Sequence, residues 1–177
     1  MHWGAYVVGI CEPKDPGGHG AWGMDFTQDG AEHRQYGGYL GRKESMSSTY
    51  AAIFGMVQAA RILKKVSAET EELTISTTST YVLKMLNGEE EPKDENIPPL
   101  IKRFKNIIHG RKVVVGHIGK DFAEKADSEA RRTIWEAIHQ WPAHGGMMKE
   151  PPNVPKPAKV AIKKTTLDMF GGDENGH

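Results

Sequence analysis

Cysteine is almost absent: Cys11 is the single one in 177 residues. That excludes an internal disulfide and fits a reducing compartment. A charge surplus is also missing. Lys+Arg and Asp+Glu both number 23, so the formal net charge is zero. A protein that lives on nucleic-acid phosphates usually carries a basic excess, so any such contact must come from a local basic face. No run approaches the ~18 apolar residues that a membrane span needs. No basic segment followed by an apolar stretch opens the chain. The eight histidines are scattered, without Cys/His pairs at metal-ligand spacing. The expectation is a soluble, cytoplasmic protein with no membrane contact and no cofactor.

The chain is long enough for one domain of ordinary size plus a tail. Residues 4–11 (GAYVVGIC) form an apolar strand. A Pro/Gly turn follows, and 20–27 (GAWGMDFT) reads as its partner. GGYLGRK, residues 37–43, suggests a third strand. Ser45–Val66 is the clearest helix, with Ser47 or Ser48 as N-cap and Ile53, Met56, Val57, Ala60 and Leu63 at helical spacing. Leu73–Thr77 reads as a short strand. Ser79 then starts a helix closed by Asn87-Gly88. After an acidic loop (89–97), Pro98-Pro99 opens a helix ending at His109-Gly110. Lys112–His117 reads as a buried-type strand, and a helix runs from Asp121 to Trp141. Three strands, a helix, a strand, two helices, a strand and a helix argue for α/β with a mixed sheet. From 142 the composition turns Pro-rich, with Pro151, Pro152, Pro155 and Pro157, which predicts a flexible tail over 142–177.

Residues 6–23 (YVVGICEPKDPGGHGAWG) resemble the opening of type 1 ribonuclease H, where the first strand carries Asp-Gly-x-Cys followed by E-P-x-P-G-G. Three later stations fit the family in order. Ser47-Ser48-Thr49-Tyr50-Ala51 stands where N-N-x-x-E is found. Thr77-Thr78-Ser79-Thr80-Tyr81-Val82 stands at T-D-S-x-x-V. Gly116-His117-Ile118-Gly119 precedes Ala126-Asp127-Ser128-Glu129-Ala130-Arg131, with ten residues from His117 to Asp127. The resemblance covers about residues 4–140. It implies a ribonuclease H-like five-stranded mixed sheet flanked by helices, over 1–141.

The family cuts the RNA strand of RNA–DNA hybrids with two Mg²⁺ ions held by four carboxylates. Matched residue by residue, three of those carboxylates are gone. Val8, Ala51 and Thr78 occupy their positions, and Asp127 and His117 remain as remnants. Valine and alanine offer no metal ligand, and threonine offers only a neutral oxygen. Glu12, Asp25 and Glu44 are the carboxylates nearest in sequence to the lost stations. The resemblance therefore implies an inactive binding module. An active, divergent Mg²⁺-dependent ribonuclease H is the alternative, and a domain that recognises protein alone is a third reading. The family's paired Asn residues touch the hybrid backbone, so Ser47 and Ser48 are candidate nucleic-acid contacts. Lys102, Arg103 and Lys105, with Arg111 and Lys112 beyond them, form the densest basic cluster, and Phe104 within it reads as core.

Leu167-Asp168-Met169-Phe170, preceded by Thr166, resembles the bacterial sliding-clamp peptide Q-L-[SD]-L-F, with Thr in place of Gln. A PCNA-interacting box fits less well, since Lys164 and Gly171 replace its Gln and second aromatic. A Pro-rich tether presenting two apolar anchors suits a groove on a partner. The expected partners are a sliding clamp through the tail and an RNA–DNA hybrid or duplex through the domain.

Overall fold

In the computed structural model, residues 2–29 and 34–140 are described, with side chains through 137. The elements are β1 (His2–Glu12), β2 (His19–Gln28), β3 (Arg34–Arg42), α1 (Ser48–Val66), β4 (Glu72–Thr77), α2 (Thr80–Leu86), α3 (Ile97–Ile108), β5 (Val113–His117) and α4 (Glu124–Gln140). A 3₁₀ turn, Lys120–Ala123, leads into α4. The strands form one sheet in the order β3-β2-β1-β4-β5. β1, β2 and β3 run antiparallel, and β4 and β5 run parallel to β1. The mixed sheet is the one expected.

Local chemistry sets the ends of these elements. The β1–β2 turn needs Gly17 at φ +102°, where a side chain is strained. Cys11 is buried there and donates to the carbonyls of Lys14 and Met46; burial raises its thiol pKa. Ser47 caps α1, its hydroxyl accepting from the Tyr50 amide at 3.0 Å. Ser79 caps α2 in the same way through the Val82 amide. The Asn87-Gly88 stop is present, with Gly88 at φ +77°.

α1 lies on one face of the sheet. With α2 and α3 it buries a core of large side chains: Val7, Met24 and Phe26 from the strands, Ile53, Met56 and Leu63 from α1, and Phe104 from α3. Phe104 is core, as its sequence context suggested. α4 covers the other face with small residues, Ala126 and Ala130, beside Val8, Ile10 and Ile134. The close approach depends on Gly23, where a methyl group would overlap the carbonyl oxygen of Ala126.

One expected feature differs. The strand over 112–117 is not of the buried type. β5 is an edge strand, Val114 is 49% exposed, and no residue of β5 is fully buried. Its valine run packs against the α1-side core only through Val113 and Val115.

Candidate functional site

β1 outruns its parallel neighbour. Pairing with β4 ends at Val7↔Thr77, yet β1 continues to Glu12. Beyond that point β1 is paired on the β2 side alone, and the gap opens into a cleft of about 560 Å³ between the N-terminal ends of α1 and α4. Sheets of this type leave their binding crevice at such a switch in strand order. At Gly9 a methyl group would overlap the Ala52 amide nitrogen and the Ser48 carbonyl oxygen. The missing side chain lets α1 sit directly on β1, and Ala52 with Ser48 and Thr49 forms one wall.

Three of the four family stations meet in this cleft where the sequence put them. Val8 lies on its floor, Thr78 follows β4 at its rim, and Asp127 projects from the first turn of α4. The fourth is displaced by one residue. Ala51 is fully buried and does not line the cleft; Ala52 does. Ser47 fixes the phase of α1 as its N-cap, and one residue turns a side chain by about 100° around a helix. The correction leaves the chemistry unchanged, because neither alanine carries a ligand atom.

Asp127 is already occupied. Arg131, one turn along α4, donates from Nε to Asp127 Oδ2 at 2.8 Å, and its Nη1 donates to Glu12 Oε1. Burial alone would lower the Arg131 pKa. Its hydrogen bonds to Asp127 and Glu12 more than offset that, and the pKa is raised. The guanidinium thus pairs with the Asp127 carboxylate and ties α4 to the end of β1. Glu12, one of the carboxylates nearest in sequence to those stations, belongs to this bridge. Arg131 was visible in the A-D-x-x-A-R pattern, but sequence spacing alone did not reveal that it would join Asp127 to Glu12 across 119 positions.

The other candidate ligands lie elsewhere. Asp25 is buried within the sheet and accepts from Gln35 Nε2 at 2.9 Å. Glu44 is exposed after β3 and does not line the cleft. His117 is exposed at the end of β5 and does not line it either. Among the described residues, no three His, Cys, Asp or Glu side chains group closely enough to hold a metal ion. At the four stations, one arginine-paired carboxylate, a threonine and two apolar side chains do not fit a two-Mg²⁺ site, which concentrates negative charge around its ions. Asp121 and Glu124 also line the cleft but do not group with Asp127 closely enough to hold an ion.

The predicted nucleic-acid contacts divide. Ser47 spends its oxygen on the α1 cap. Ser48 donates both its amide, at 3.2 Å, and its hydroxyl to Asp15, which places a carboxylate at the positive end of α1. Lys102, Arg103 and Lys105 lie on α3, away from the cleft lining. Arg111 is committed to Ser67 and Ala68, and Lys112 pairs with Glu72 at 2.8 Å. The tail residues Leu167, Asp168, Met169 and Phe170 lie outside the described residues. No helix among the described residues is long and apolar enough to cross a membrane.

No family model and no curated protein matches the sequence. Solved structures do. The chain is similar to ribonuclease H1 of the halophilic archaeon Halobacterium salinarum, with a TM-score of 0.67 at 18% identity, covering 77% of this chain and 100% of that one. It is similar to LC11 ribonuclease H1, a protein isolated from compost by metagenomics and solved with an RNA/DNA hybrid. There the TM-score is 0.65 at 17% identity, over 77% and 99% of the two chains. A third, LC9 ribonuclease H1, is a type 1 enzyme with the type 2 active-site motif; it gives 0.55 at 11% identity over 90% and 96%. At these identities the likeness establishes architecture, and the domain has the ribonuclease H-like fold.

Proposed function

We propose that the protein is a non-cleaving binding module that engages RNA–DNA hybrid or duplex nucleic acid through this fold. The observation that carries the reading is the Asp127–Arg131–Glu12 bridge, set in a cleft where Val8, Ala52 and Thr78 stand at the other stations. The guanidinium engages the one carboxylate found at these stations together with Glu12, which leaves no pair of free carboxylates there to hold two metal ions. The LC11 relative, solved with an RNA/DNA hybrid, supports a hybrid as the ligand class.

The tail extends the proposal. Leu167 and Phe170 would recruit the module to a sliding clamp and make it an accessory factor of replication or repair. The alternative, an active Mg²⁺-dependent ribonuclease H, would have to build its metal site from Asp127 with Asp121 and Glu124, the other carboxylates that line the cleft.

One assay separates the two. Labelled hybrid is incubated with the full chain and Mg²⁺ or Mn²⁺, beside an Asp127→Asn control, and mobility is recorded in the same gel. Retarded, uncut hybrid is expected. Cleavage that vanishes in the control would overturn the proposal. Retention on a clamp column, lost when Leu167 and Phe170 become Ala, is the expected result for the tail.

A further inference from the structure

α1 ends far from the cleft, and a second concavity lies there. Its walls are Lys64 from the last turns of α1 and Pro99, Lys102, Arg103, Asn106 and Ile107 from α3, around a groove of about 430 Å³. Three of these six side chains are cationic and none is acidic. The position is set by packing: Leu100 and Phe104 are buried on the opposite side of α3 and hold it to α1. Lys102 with Asn106, and Arg103 with Ile107, are i,i+4 pairs, so two adjacent rows of α3 face the groove.

The cations of the groove differ from several elsewhere that are already committed. Arg131 and Arg132 are held in carboxylate bridges, Lys112 pairs with Glu72, and Arg111 is bound to Ser67 and Ala68. Among the described residues, Lys64, Lys102 and Arg103 form no ion pair. In a chain of zero net charge, three cations without an ion pair on facing helices concentrate positive charge at this groove.

We infer that this groove binds the phosphodiester backbone of a nucleic acid. The lining suits that ligand better than an acidic peptide. It is open, it joins a guanidinium and two ammonium groups to a side-chain amide, and it has no deep aromatic pocket of the kind that anchors peptides. Lys64 lies twelve residues beyond Ala52 on the same helix, about 18 Å along its axis. The groove is therefore a contact point separate from the cleft. The inference deepens the binding reading above but stands on different residues.

The test uses the full chain, ¹⁵N-labelled, titrated with a 12-nucleotide single strand, an RNA–DNA hybrid and an oligoglutamate peptide. Amide shifts at Lys64 and 102–107 report the groove; those at Thr78, Ser79 and Asp127 report the cleft. Groove shifts with the nucleic acids are expected. A triple variant, Lys64→Ala/Lys102→Ala/Arg103→Ala, should melt normally and flatten the dependence of log Kobs on log salt by about 2 to 3. Lys64→Arg/Lys102→Arg should keep the wild-type slope. Shifts in the cleft alone, or an unchanged slope in the triple variant, would overturn the groove and leave the cleft reading standing. Groove shifts without cleft shifts would do the reverse. Groove shifts with oligoglutamate but not with nucleic acid would replace the proposal with an acidic protein partner.

Discussion

The two faces of the sheet solve the burial problem differently. On the α1 side, long apolar residues from three helices interlock with Val7, Met24 and Phe26. On the α4 side, alanines sit over glycine, and the remaining space holds a polar layer. Glu129 is 2% exposed and binds Arg132, which also bridges to Glu136. Asp25, Gln35 and Thr133 are buried on the same side. The first face derives its stability from transferred apolar area. The second depends on every charge keeping its partner. The cleft lies where the two faces meet, with Ala52 from one and Asp127 from the other.

The largest effect should come from the apolar face. Phe104→Ala removes a ring that is 2% exposed and should cost about 4 kcal/mol, read as a lower urea midpoint with unchanged m-value. Ile134→Ala, equally buried but among alanines, should cost about 2 kcal/mol because helix α4 can settle towards the sheet. Equal losses would erase the distinction between the faces.

Next in size is the ion layer. Glu129→Ala leaves Arg132 half-paired under α4 and should cost about 3 kcal/mol. Replacing both partners, Glu129→Leu/Arg132→Leu, should cost much less, within about 1 kcal/mol of wild type, because a pair removed together leaves no orphan charge. If the double change costs as much as the single one, packing rather than pairing holds that face.

The faces also differed in how much of them could be read from the chain. The α1 face announced itself: its 3.6-residue apolar period, the Ser47 and Ser79 caps and the Asn87-Gly88 stop are local signals, and each appears in place. The Pro/Gly turn positioned β1 and Val8. Less was legible wherever the answer depended on neighbours. A valine run cannot report that β5 is an edge. The Ala51/Ala52 offset required the helix phase. Arg131 meets Glu12 only after β1 and α4 have docked, and the α1–α3 groove joins Lys64 to residues almost forty positions on.

A smaller effect is expected at the junction of the faces. Arg131 is 24% exposed, so Arg131→Ala should cost only about 1 kcal/mol in global stability. Its consequence should be local: faster amide exchange at Glu12 and in the first turn of α4, with the α1 amides unchanged. Faster exchange throughout α1 would mean that the bridge supports the whole core.

The smallest effect is a pH response confined to the β2–β3 end. His19 is 2% exposed, and its Nδ1 lies 2.7 Å from the Tyr39 hydroxyl. Burial, and then the charge of Arg42, lower its pKa below 6.5. The unfolded chain therefore takes up a proton before the folded one as pH falls. Stability contributed by the neutral ring is complete above about pH 6.5 and is lost as pH drops from there towards the folded pKa. His19→Asn keeps a hydrogen-bonding group near Tyr39 but cannot titrate. Urea midpoints between pH 7.5 and pH 5.5 should fall more steeply in wild type than in the variant. Parallel curves would show that His19 takes up its proton equally in the folded and unfolded chains and that burial does not govern this corner of the sheet.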